Sequence, residues 1–185
     1  MGTFVTVVDA FTDRAFLGNP AGVCILDSPV SDEWMQNVVA ELNLSETAFC
    51  IADGDVWHLR WFTPKVEVDL CGHATLATTH VLTQDHGIEG TIRFTTRSGL
   101  LAAQALPDRI VLDFPADSTR KADPPTGLLA GLGVPDDSLV RRGRTDYLVL
   151  LENEAAVTAV HPTFSLLRRV DCRGVMVTAP ADEEA

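Results

Sequence analysis

The chain has no lysine- or arginine-rich tract, no apolar run approaching bilayer length, no CxxC pair and no HxxxH or HExxH pattern. Each absence removes a class of function. Without a basic tract, and with a net charge of −12, a phosphate backbone is repelled, so nucleic acid is not an expected partner. Without a long apolar run there is no spanning helix, and no membrane partner is expected. The first residues lack a basic n-region and a cleavage site, so no signal peptide is predicted and a cytoplasmic location is expected. Cys24, Cys50, Cys71 and Cys172 are scattered, which indicates neither a zinc site nor a disulfide framework. His73 and His80 are seven residues apart, roughly 10.5 Å along a helix axis and too far to share one ion, so no metal is expected. Met1-Gly2 with Thr6 matches a bare myristoylation pattern, but the same residues alternate as a strand does.

What is present is an ordinary globular balance, 46% hydrophobic and 22% charged over 185 residues. Alternation predicts strands over 3–10 and 21–26, with Asn19 and Pro20 in a turn between them. Ser31 is a candidate N-cap, Asp32 and Glu33 suit a first helical turn, and Trp34, Met35, Val38, Val39 and Leu42 recur at helical spacing. A helix over 32–42 follows, ended by Asn43 in a left-handed conformation. Strands are expected over 45–52 and 56–62, joined through Asp53-Gly54-Asp55, with Pro64 stopping the second. A helix over 73–86, closed by Gly87, is apolar around most of its circumference and should be buried. A β-meander is expected over 91–95, 100–106 and 109–114.

Residues 115–125 are polar and contain three prolines, the best linker candidate. A helix over 126–132, strands over 147–151 and 174–178, one or two helical turns between 155 and 167, and an acidic tail over 180–185 complete the chain. The expected class is α+β: a curled mixed sheet around a central apolar helix in residues 1–114, then a shorter segment, 126–185, with few strands for a core of its own.

Two positions point to chemistry. Glu46 shares a strand face with Ala48, Cys50 and Ala52, all small and uncharged. A carboxylate there is at the sheet rim, the commoner fate of a charged residue, or in a cavity, where it can exchange protons. His73 stands in the first turn of the buried helix, beside the amides of Gly72 and Ala74, which can hold an anion; the alternative is a satisfied core histidine. Cys71, just before the helix, invites a nucleophile or racemase reading, but a two-base racemase needs a second thiol, and Cys172 lacks a matching glycine-rich turn. Asp9, Asn19 and Asp69 border the same turns, where such residues more often bond local backbone.

Asp9-Ala10-Phe11-Thr12, Gly18-Asn19-Pro20-Ala21, Asn43-Leu44-Ser45-Glu46-Thr47, Phe62-Thr63-Pro64 and Cys71-Gly72-His73-Ala74-Thr75-Leu76 occur in an order that resembles the PhzF-like family, relatives of the phenazine-biosynthesis isomerase. Weaker likeness continues through Asp146-Tyr147-Leu148-Val149 and Arg173-Gly174-Val175-Met176-Val177-Thr178. The resemblance implies a diaminopimelate-epimerase-like fold of two lobes. It also implies cofactor-free isomerisation of a small carboxylate-bearing metabolite. Glu46 becomes the proton-transfer residue, His73 its catalytic neighbour, and Ser45, Gly72, Ala74 and Thr75 candidates for holding substrate. Family members continue into a segment like Glu-Asp-Pro-Val-Thr-Gly-Ser-Ala, and this chain stops at Ala185 before it. The second lobe is therefore expected to be partial, with exposed edges that favour a homodimer. The rival expectation is a catalytically impaired member that binds a metabolite or self-associates.

Overall fold

The computed structural model describes residues 3–181. Two compact units divide between Pro115 and Ala116, one residue from the expected end of the first lobe. Among the described residues no helix is long and apolar enough to cross a membrane.

In the first unit the chain runs β1 (Thr6–Ala10), β2 (Asn19–Leu26), α1 (Asp32–Leu42), β3 (Glu46–Asp53), β4 (Val56–Phe62), β5 (Glu67–Val68), α2 (Gly72–Gln84), β6 (Thr91–Thr96), β7 (Gly99–Ala105) and β8 (Ile110–Asp113). The strands form one mixed sheet in the order β1-β2-β3-β4-β6-β7-β8, with β5 beside β4. β2 with β3 and β4 with β6 are parallel, and the other pairs are antiparallel. α2 touches β1 and β2 near one sheet edge and β7 and β8 at the other, so the sheet curls around it, as expected.

The two sheet faces carry different cargo because side chains alternate along each strand. Ala21, Val23, Ala48, Cys50, Leu59 and Trp61 face α2 and pack with Ala74, Ala77, Val81 and Leu82. Cys24, Phe49 and Phe62 face the opposite way, against Met35 and Val39 of α1. Each fully buried large apolar side chain of this kind contributes roughly 1.5–3 kcal/mol.

α1 follows the expectation residue for residue. Ser31 Oγ accepts from the Trp34 amide at 3.2 Å, and Asn43 closes the helix at φ 52°. α2 begins one residue early and ends two residues early. It is enclosed on most sides, with His80 and Gln84 left exposed, and its buried threonines are accommodated because Thr75, Thr78 and Thr79 each donate a hydroxyl to the carbonyl four residues back. A hydroxyl satisfied this way costs little on burial.

Asn19 and Pro20 are not in a turn but open β2, opposite Ala10 and Asp9. The turn lies earlier, where Asp9 Oδ2 accepts from the Phe16 amide at 2.8 Å and bonds local backbone as expected. Gly18 is required there, since a Cβ would sit 2.4 Å from the Ala10 carbonyl oxygen.

The second unit comprises β9 (Arg120–Lys121), α3 (Leu128–Leu132), β10 (Leu139–Arg142), β11 (Asp146–Leu150), α4 (Glu154–Thr158), α5 (Phe164–Leu167) and β12 (Gly174–Thr178). Its sheet order is β12-β11-β10-β9. β9 lies inside the stretch expected to be a linker, and β10 falls where no strand was expected. Leu128, Leu129, Leu132, Val140, Val149 and Val170 build a core for this unit. The expected acidic tail lies mostly outside the described residues.

Candidate active site

The site forms where β3 begins and α2 begins. β3 lies beside β2 with Glu46 opposite Ala21, so the strand enters the sheet with Glu46 as its first residue. Alternation puts Glu46 on the α2 face, one step before Ala48 disappears into the core. Its side chain is 23% exposed, neither in bulk water nor sealed. At the helix mouth Cys71 is the N-cap in an extended conformation, and it makes no capping hydrogen bond. Among the described residues no side chain accepts from the Gly72 or His73 amide, the arrangement that favours a negative ligand.

His73 joins the two elements. Its side chain is 10% exposed, and Nε2 lies 3.5 Å from Glu46 Oε2. The same nitrogen is 3.4 Å from Ser45 Oγ, whose hydroxyl donates to the Pro20 carbonyl. On the far side of the ring, Nδ1 is 3.4 Å from Cys71 Sγ. Burial pushes His73 below its ordinary value, and the Glu46 carboxylate opposes part of that shift. Burial pushes the Cys71 thiol up to about 11, partly offset by the Ala74 amide and reinforced by Glu46. A thiol held protonated in this way is a poor base or nucleophile near neutrality.

Glu46, Cys71 and His73 each place one ligating atom within 4.8 Å of the others. However, the carboxylate and the sulfur make their nearest approaches to opposite nitrogens of one imidazole.

Four of the expected site residues meet here at an accessible surface: Ser45 is exposed, and Glu46, Gly72 and His73 are partly so. Ala74 and Thr75, also expected to hold substrate, are both 0% exposed in this chain. Both the hydroxyl and the amide of Thr75 turn to the Cys71 carbonyl, at 2.6 and 3.3 Å, so Thr75 shapes the helix mouth from behind. Cys71, a candidate nucleophile without a matching second thiol, contacts the imidazole directly. The signal was its placement two residues before the histidine at a helix start. Asp69 is turned away into an ion pair with Arg97 at 3.1 Å. Cys172 lies in the second unit, against that unit's core.

Comparison with known proteins identifies the family. A family model for phenazine biosynthesis-like proteins, PhzC-PhzF, matches residues 8–185. An uncharacterized isomerase of Halalkalibacterium halodurans is 48% identical over 182 residues, covering 97% of this chain and 68% of the relative. An uncharacterized isomerase of Pseudomonas aeruginosa is 48% identical over 176 residues, covering 93% and 66%. The chain thus spans about two thirds of the length of the curated relatives it matches. The crystal structure of a PhzF-family phenazine biosynthesis protein from Enterococcus faecalis superposes with a TM-score of 0.89 at 40% identity, over 99% of this chain and 70% of that one. A half-buried carboxylate facing an imidazole at an uncapped helix start, on a sheet curled around that helix, thus sits in a chain that belongs to the PhzC-PhzF, phenazine biosynthesis-like family of isomerases.

Proposed function

We propose that the protein catalyses cofactor-free proton transfer on a small carboxylate-bearing metabolite, with Glu46 as the group that moves the proton. The supporting observation is the Glu46–His73 pair, 3.5 Å apart and at most a quarter exposed, beside helix amides that lack a cap. Glu46 takes a proton from an activated C–H, exchanges it with solvent and delivers a proton to another carbon of the conjugated system, so the substrate is isomerised with no net change in oxidation state. Such a group contributes about 10²–10⁴-fold to rate when it is within reach of the proton. Gly72 and His73 amides would hold the substrate carboxylate, and the His73 ring would hold the carboxyl group of Glu46 in place. Fixing the reacting carbon against the base supplies much of the remaining acceleration.

The test is incubation with a dihydro-hydroxyanthranilate in heavy water, read by mass spectrometry and proton NMR. Solvent deuterium at the reprotonated carbon is the expected result. Isomerised product without deuterium would contradict an exchangeable carboxylate as the carrier. Protection against thermal unfolding by the same compound, with no exchange at all, would mark the chain as a metabolite-binding protein.

A further inference from the structure

We infer that Cys71 is a positioning residue: its S–H donates to His73 Nδ1 and so holds the imidazole as the neutral tautomer with its proton on Nε2, facing Glu46. The inference rests on the proposed proton-transfer role for its purpose, but not for its geometry. Three placements fix the proton. The Ser45 hydroxyl donates to the Pro20 carbonyl, so the side of Ser45 Oγ that meets Nε2 at 3.4 Å accepts. The Glu46 carboxylate lies 3.5 Å from the same nitrogen, and its negative charge favours a hydrogen there. A nitrogen between two acceptors carries the hydrogen, which leaves Nδ1 of a neutral ring with a lone pair. The group opposite that lone pair is the Cys71 sulfur at 3.4 Å, 92% shielded from solvent and able to donate. The titratable groups around the ring are Glu46 from β3 and Cys71 at the mouth of α2. Burial disfavours a charge on both Cys71 and His73, which keeps the donor a thiol and the ring neutral.

The role is not nucleophilic and forms no bond to substrate. It supplies the donor that the Nδ1 lone pair needs, and so favours the ring form that presents Nε2–H to the carboxylate. With the proton on Nε2, the imidazole can steady Glu46 as a carboxylate and release it when Glu46 is protonated by substrate. With the proton on Nδ1, Nε2 would present a lone pair to a carboxylate, and the two would repel.

The experiment is nitrogen-15 NMR of protein labelled at histidine, with His73 assigned by comparison with His73→Gln. The wild type is expected to show the Nε2–H tautomer at neutral pH. In Cys71→Val, which fills similar space without a donor, the proton stays on Nε2, the Nδ1 lone pair is left without a partner, and the His73 midpoint rises by about one pH unit. Cys71→Ser, smaller but still a donor, restores the wild-type midpoint. Two results would overturn the inference: a wild-type ring protonated on Nδ1, or Val and Ser variants that titrate alike. A wild-type ring protonated on Nδ1 overturns the inference even if the variants do not fold. The readout needs no turnover, so failure of the proton-transfer proposal leaves a distinct result here, and the reverse also holds.

Discussion

His73 Nε2 and Glu46 Oε2 stand 3.5 Å apart although the two residues come from different elements, the first turn of α2 and the first position of β3. The pair is held by two firmer structures. β3 is fixed between β2 and β4, and α2 is enclosed by the sheet that β3 belongs to. A site built on a buried helix and an interior strand is positioned more precisely than one on loops.

The depressed pKa of His73 makes folding sensitive to acid. Burial is the main cause, so the folded protein binds a proton at His73 less readily than the unfolded chain, whose value is near 6.5. The sign follows: above that pH the residue costs nothing, and stability is lost as pH falls below it through the folded value. His73→Gln should lose less stability than the wild type between pH 7 and pH 5 in urea unfolding. Parallel losses in the two proteins would contradict a buried, neutral ring.

Cysteine accessibility should rank by burial. Cys24 and Cys50 are sealed in the first unit, with Cys24 pushed up to about 12, and Cys71 is pushed up to about 11. Cys172 is the partly exposed one. Iodoacetamide on the native protein at pH 7.5, followed by peptide mass spectrometry, should label Cys172 first and leave Cys71 slow. Fast labelling of Cys71 would indicate thiolate character and revive a cysteine-based racemase.

Gly22 should not tolerate a methyl group while Thr47 is present. A Cβ there would lie 2.8 Å from Thr47 Oγ1 and 3.0 Å from its Cγ2. That hydroxyl is buried with no partner, so removing it forfeits no hydrogen bond. Gly22→Ala is expected to cost about 1–3 kcal/mol by overpacking, and the Thr47→Ala background should recover at least about half of it. Strict additivity of the two changes in thermal unfolding would contradict the contact.

Much of this was legible in the residues. α1 was recoverable to its caps because Ser31 and Asn43 are chemically suited to those positions. Glu46 and His73 were identifiable because each is polar in an apolar setting. β9 and β10 were not, for a physical reason. Arg141 and Arg142 break the apolar alternation, yet each is accommodated locally. Arg141 donates to Thr119 Oγ1 and to the Thr119 carbonyl, and the Arg142 guanidinium lies 4.3 Å over the Tyr147 ring. The Cys71–His73 contact was legible only as a two-residue spacing, which fixes no side-chain direction until the helix start is placed. The same holds for Thr75, whose hydroxyl direction depends on the helical turn behind it.

The decisive measurement is the rate of solvent deuterium uptake into substrate by Glu46→Gln set beside the parent protein. The substitution keeps the shape of the side chain and its neighbours but removes the group that accepts a proton. A fall of about 10²-fold or more, with the fold intact by circular dichroism, is the expected result. Uptake at the parental rate would contradict Glu46 as the proton carrier, and with it the proposed chemistry.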